Sequence, residues 1–364
     1  MSLAFRNEID ITVWLAGGTI ADVAIRPRSR PPLTRLFAGK PASRLPSVLP
    51  RLFSVCSMAH QVAFLSAVEA ARGEDASLEI EHGRVVAVVA ERLTELLRGL
   101  FVGRLTLDGA GAAAVRAMME ATAVLGGSIA ERGEAVSRRE AVAKIRASLA
   151  ALGIASEEQT PGAGSALAVH LANFDGDALL PPVVEQSFLS AADDVEIVMR
   201  LLADGAIFSD APDLHGRIPE TGVWARRVGR EPILPPGATP AERLKARIAE
   251  VARLCAFLEA DDGTVEDGVL QSYRLGTGRG AGAVECARGR LYHAVELDDK
   301  DRIVRFEFLA PTEWNFHARG PLVRSLQGTV LAGGRQGLDA VRTLVDSFDP
   351  CVGFSLSFRE IGHA

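Results

Sequence analysis

Cys56 and His60 stand four residues apart in Arg51-Leu-Phe-Ser-Val-Cys56-Ser-Met-Ala-His60, at the head of an apolar run that reaches Ala71. On a helix, that spacing puts a thiol and an imidazole on one face, where both could serve a single bound group. A buried cysteine beside a satisfied histidine is the plainer alternative. A second thiol, Cys351, lies near the other end in Ser347-Phe-Asp-Pro-Cys351-Val-Gly-Phe354. The four cysteines, at 56, 255, 286 and 351, form no Cys-x-x-Cys pair, which argues against a zinc ribbon or finger. An iron or zinc site could use them only if the fold gathers distant segments. They are expected to be reduced thiols in a cytoplasmic protein.

The chain has 364 residues, 48% of them hydrophobic, enough for a sizeable core, and a net charge of −6 that leaves no footprint for nucleic acid. Its first residues soon reach charge at Arg6 and Glu8 without an apolar core, unlike a signal peptide. No apolar run approaches the length of a membrane span. Neither nucleic acid nor membrane is therefore expected as a partner.

The elements that must position the thiols read as α+β. Ile9–Leu15 and Thr19–Ile25 flank Gly17-Gly18 and predict a β-hairpin. Arg26-Pro-Arg-Ser-Arg-Pro-Pro32 interrupts regular structure; its three arginines could dock an anion or a protein, but a solvated loop is the expected reading. Helices follow: one from Ser57, an amphipathic one over Val85–Val102 and an alanine-rich one over Ala110–Leu125. Another opens at the capping box Ser137-Arg-Arg-Glu140, and a last at Thr239-Pro-Ala-Glu242. Cys255 falls on the apolar face of that last helix and is expected in the core. Gly276-Thr-Gly-Arg-Gly280-Ala-Gly282 invites a phosphate, but no helix signal follows, so a turn is expected. Leu291–Leu297 and Ile303–Leu309 predict a second hairpin, and Gly337–Asp346 a short helix. The expected organisation is one domain over 1–364: an N-terminal hairpin and loop (1–56), a mainly helical middle (57–260), and a hairpin with the C-terminal cysteine segment (261–364). A central helical bundle would carry small β-hairpins from both termini, closing over a pocket.

In order, four segments resemble the large subunit of nickel–iron hydrogenases. Arg51 to His60 is similar to that family's Arg-x-Cys-Gly-x-Cys-x-x-x-His, and Ala287-Arg288-Gly289-x-Leu291-x-His293 to its Pro-Arg-Gly-x-Leu-x-His. Pro311-Thr-Glu-Trp-Asn315 with Arg319 is similar to Pro-Thr/Ser-Thr-Trp-Asn-x-x-Pro-Arg, and Phe348-Asp-Pro-Cys351 to Phe-Asp-Pro-Cys-x-x-Cys. The departures carry information. Phe53 and Phe354 replace two of the four nickel-binding cysteines, and Ser357 stands where the family has its terminal histidine. Phenylalanine cannot ligate nickel, so a working hydrogenase is not expected and no nickel is implied.

The retained pair resembles the HupK/HoxV type of hydrogenase accessory protein. That resemblance implies a non-catalytic scaffold that transiently holds iron as Fe(CN)2(CO) through Cys56 and Cys351, soft ligands suited to low-spin iron. Around it the resemblance places Arg288 and Thr312 on the cyanides, Pro311 in the carbonyl pocket, Asp349 orienting Arg288, and His60 donating to a thiolate. Glu8 and Glu95 match acidic positions of the family. Cys286 could be an extra thiol near the metal or a packed small hydrophobe; Trp314, His293 and His317 read as structural. The implied partners are an iron-delivering maturation chaperone and the immature large subunit. The alternatives are a metal-free protein that docks assembly factors, or a degenerate structural homologue of the large subunit.

Overall fold

The computed structural model describes residues 8–103, 105–125, 135–154, 161–172, 186–231, 238–260 and 268–361. Strands β1 (Glu8–Ala16) and β2 (Thr19–Arg26) form the expected N-terminal hairpin, with Gly17 and Gly18 both at positive φ in its two-residue turn. The C-terminal side is richer than one hairpin. β3 (Leu270–Gly276), β4 (Arg279–Cys286), β5 (Gly289–Leu297) and β6 (Ile303–Leu309) form a four-stranded antiparallel meander. β7 (Gly353–Glu360) pairs parallel with β1, Ile9 opposite Phe354, so the two ends of the chain share a second, three-stranded sheet.

The meander is buried on both faces, which is why β4 and β5 show no polar alternation. On one face lies the Ser57–Arg72 helix, without Gly or Pro inside and closed by Gly73 at φ 75° in a Schellman turn. Gly280 and Gly282 of β4 face it: a Cβ at either would overlap backbone atoms of Ala63, Ala67 or Ala71. Helix and strand thus meet backbone to backbone, small residues on both sides. On the other face Ala281, Ala283, Tyr292 and Ala294 pack on Ile197, Val198 and Leu201 of the Asp194–Asp204 helix. The second sheet packs Ile9, Ile11 and Val13 on Leu322 and on Val341 and Leu344 of the Arg335–Ser347 helix.

The helical middle follows the expected order with two shifts. The amphipathic helix begins at Leu78, not Val85, because Ser77 Oγ accepts the Ile80 N–H at 3.3 Å and Glu79 and Glu81 complement the helix dipole in its first turn. The next but one runs Ala135–Ala151, so Ser137 lies inside it and not at its head; a Ser-x-x-Glu pattern is also an ordinary i,i+3 pair within a helix. The Pro240–Ala260 helix does open on a reciprocal capping box, Thr239 N to Glu242 Oε2 at 2.7 Å and Glu242 N to Thr239 Oγ1 at 3.2 Å. Cys255 is fully buried on it.

Four arginines converge on one carboxylate that ties this helix to its neighbours. Glu250 accepts from Arg92 at 2.5 Å, Arg226 at 3.0 Å, Arg230 at 2.9 Å and Arg253 at 3.1 Å. Burial opposes ionisation of Glu250, but the arginines outweigh it and hold the carboxyl well below the usual range. Arg226 continues to Glu285 at 2.5 Å and to the carbonyls of Cys286 and Ala287 at 3.2 Å.

Gly282→Ala is expected to cost about 3 kcal/mol, the range of overpacking in a rigid core, measured as a lowered urea midpoint. A loss below about 0.5 kcal/mol would mean that the helix slides off the strand freely.

Candidate functional site

Cys56 sits immediately before the Ser57–Arg72 helix with a left-handed backbone, φ 56° and ψ 37°. Its side chain does not cap the helix. Glu91 from the neighbouring helix does so instead, accepting from the N–H groups of Met58 at 2.7 Å and Ala59 at 2.9 Å and from Ser57 Oγ at 3.3 Å. The thiol is thereby left to a cavity of about 120 Å³, which both Cys56 and Cys351 line. Arg288, Pro311, Thr312, His60 and Cys286 line the same cavity.

Seven of the ten expected site residues therefore share one wall-to-wall space, and two more contact it through Arg288. Arg288 Nη1 lies 3.5 Å from Cys56 Sγ and donates to Glu95 Oε2 at 3.2 Å, while its Nε is 3.4 Å from Asp349 Oδ2. Burial works against that guanidinium's charge, but Asp349, Cys56 and Glu95 more than offset it and raise its pKa. Thr312 Oγ1 and Cys351 Sγ are 3.0 Å apart. Asp349, like Cys56, is held at positive φ, 51°. Glu8 is the exception: exposed at the start of β1, it sits beside Gly353 and does not line the cavity.

His60 pairs with another imidazole, not with the thiolate implied by the resemblance. Its Nδ1 lies 2.8 Å from Nε2 of His293, and Phe53 stacks on its ring at 3.6 Å, nearly parallel at 5°. Burial, with His293 and Arg28 nearby, pushes the His60 pKa well down, and burial alone pushes His293 down to about 3. Cys286 lines the cavity with Cys56; the neighbouring Cys56 and the backbone N–H of Arg288 pull the Cys286 thiol down, while Cys286 and burial push Cys56 up.

The Arg26–Pro32 stretch is only partly the expected solvated loop: Arg26 and Ser29 are exposed, but Arg28 and Arg30 turn inward. Arg28 reaches Glu313 Oε1 at 3.1 Å and lines the cavity, and Arg30 stacks over Phe308 at 4.3 Å with Asp210 at 3.0 Å. The reason is Glu313: buried on the short Pro311–Asn315 helix, it demands countercharge that only an incoming segment can bring. Glu313 and Arg28 were not among the expected site residues; an acidic residue inside the Pro-Thr-Glu-Trp-Asn segment was the available signal. The other positions of that segment divide the work. Trp314 is core, and Asn315 clamps Thr221 from both sides, accepting at 3.0 Å and donating at 2.9 Å.

Of the two phenylalanines that stand at cysteine positions of the resemblance, Phe53 lines the cavity and Phe354 does not: it packs with Leu356 and Phe358 against the second core. Among the described residues, no three His, Cys, Asp or Glu side chains converge as a metal ion would require. Among them also, no helix is long and apolar enough to cross a membrane.

With this geometry in place, the relatives are informative. The chain is 68% identical over 364 residues, the whole of both proteins, to "Hydrogenase expression/formation protein HupK" of Bradyrhizobium diazoefficiens. It is 34% identical to the HupK protein of Rhizobium leguminosarum bv. viciae, covering 98% of this chain and 97% of that one. The chain belongs to the HupK/HoxV family of hydrogenase expression/formation proteins. The HoxV protein of Cupriavidus necator is more distant, 28% identical over 91% of this chain and 92% of its own. The nickel-dependent hydrogenase family profile matches residues 241–356, the stretch that carries Arg288, Thr312 and Cys351. The [NiFeSe]-hydrogenase of Desulfomicrobium baculatum has the same fold, with a TM-score of 0.60 at 16% identity over 93% of this HupK/HoxV-family chain and 95% of that one.

The buried histidines predict a pH dependence. A lowered folded-state pKa means that the unfolded chain takes up the proton first, so stability is complete above about pH 6.5 and is lost as pH falls toward about 3. His293 alone contributes a slope of about 1.4 kcal/mol per pH unit across that window. Denaturation of the wild type and His293→Gln between about pH 4 and pH 6 should show the smaller slope in the variant; equal slopes would refute the assignment.

Proposed function

We propose that this protein is a non-catalytic scaffold in nickel–iron hydrogenase maturation, holding the Fe(CN)2(CO) unit as cargo through Cys56 and Cys351. The observation that carries the reading is a single cavity lined by one thiol from each end of the chain, with Arg288 and Thr312 beside them. The donor set fits such a cargo. Sulfur suits low-spin iron, and a guanidinium and a hydroxyl can donate to cyanide nitrogens in a low-dielectric space. The ring of Phe53, where a hydrogenase has a thiolate, denies nickel a ligand. Two thiolates rather than four also ease release. The names of the relatives support a role in hydrogenase formation. The cargo would come from an iron-delivering maturation chaperone and pass to the immature large subunit.

A metal-free docking role for assembly factors is the second reading: Arg288 already has its countercharges in Glu95 and Asp349 and needs no bound group to balance it.

Infrared spectroscopy separates the two. Protein isolated anaerobically from a host that makes the ligands should show carbonyl and cyanide stretching bands. Cys56→Ala and Cys351→Ala should each abolish them, and Thr312→Val should shift a cyanide band without removing the carbonyl band. Bands that persist unchanged in both cysteine variants would exclude this ligation; their absence from the wild type would favour docking.

A further inference from the structure

We propose that His293 is a positioning residue that fixes His60 as its Nε2–H tautomer, so that the cavity wall presents a neutral N–H donor to sulfur or to the nitrogen of an anionic ligand. The two rings share one hydrogen bond, His60 Nδ1 to His293 Nε2, 2.8 Å apart with their planes at 71°. Only one of those nitrogens can carry the proton. The deciding atom is His293 Nδ1: it is buried and, among the described residues, has no hydrogen-bond partner. Around His293 are the rings of Phe53, Phe306 and Phe308, which offer no conventional acceptor.

A buried N–H without an acceptor is the rarer and costlier defect. His293 therefore keeps its proton on Nε2 and leaves Nδ1 as a bare lone pair. Its Nε2–H donates to His60 Nδ1, and the proton of His60 is placed on Nε2. That nitrogen has no hydrogen-bond partner among the described residues, and His60, 5% exposed, lines the cavity with Cys56 and Cys286. The hydrogen bond to His293, which does not line the cavity, holds the Nδ1 edge of His60 on that side, and the Phe53 stack keeps the ring plane fixed. Burial keeps both imidazoles uncharged near neutral pH, so the donor neither appears nor vanishes with ordinary pH changes. His293 acts here at second hand: it touches no ligand and controls the residue that does.

The tautomer is independent of the proposed function; only the identity of the acceptor rests on that reading. The test uses metal-free full-length protein labelled with ¹⁵N-histidine, with long-range ¹H–¹⁵N correlations at about pH 7. His60 signals are identified by their loss in His60→Gln. The wild type should show a protonated Nε2 and a bare Nδ1 at His60. His293→Leu should convert this to a mixture or to Nδ1–H, and His293→Gln, whose amide can donate to Nδ1, should restore the wild-type pattern. An Nδ1–H or mixed His60 in the wild type overturns the proposal, and so does an unchanged pattern in His293→Leu. Should His293→Leu fail to fold, the wild type and His293→Gln decide, Nδ1–H in either being the contrary result. Absence of infrared bands from the wild type would count against iron holding and leave the tautomer untouched.

Discussion

Everything at the site depends on how closely the Ser57–Arg72 helix lies against strand β4. With glycines at 280 and 282 and alanines at 63, 67 and 71, the two backbones touch, and no side chain is left to adjust the distance. Cys56 at the head of that helix and Cys286 at the end of that strand are thereby brought face to face, and Arg288 follows one turn later. Such contact is insensitive to rotamer changes, so it transmits position rather than averaging it.

The other side of the site is held electrostatically. Arg226 joins the Glu250 cluster to the carbonyls of Cys286 and Ala287, so the segment before Arg288 is fixed by a charge network that reaches three helices. Arg288 lies between Asp349 and Glu95, which arrive from the last helix's end and from the second long helix. Removing either carboxylate would leave a buried guanidinium short of countercharge, a far larger disturbance than loss of a surface pair. The cavity is thus polar at its back and aromatic at its front, where Phe53 covers His60.

Much of this was legible in the sequence. The ordered segments around Cys56, Arg288, Thr312 and Cys351 named the residues that meet, and the Gly17-Gly18 turn and the Thr239 capping box gave local structure directly. What escaped did so for lack of a local signal. β7 alternates Phe354, Leu356 and Phe358 clearly enough, but its partner strand lies at the opposite end of the chain. Arg28 and Arg30 look solvated because prolines and charges usually are; the buried Glu313, with Asp210 and the Phe308 ring at Arg30, draws them in. His293 carried no mark of its pairing with His60: it reads as structural, and a partner 233 residues away leaves no local signal.

The location of Phe354 bears on how this family relates to the catalysts whose fold it shares. Phe53 looks into the cavity, whereas Phe354 belongs to the layer between the terminal sheet and the Arg335–Ser347 helix, with Arg342 5.8 Å from its ring. Cysteine introduced at both positions would therefore furnish one new thiol beside Cys56 and strand the other in a separate apolar layer. Bringing four thiols to one point would require repositioning the closing strand as well as changing two side chains, so the constraint lies in the backbone as much as in residue type.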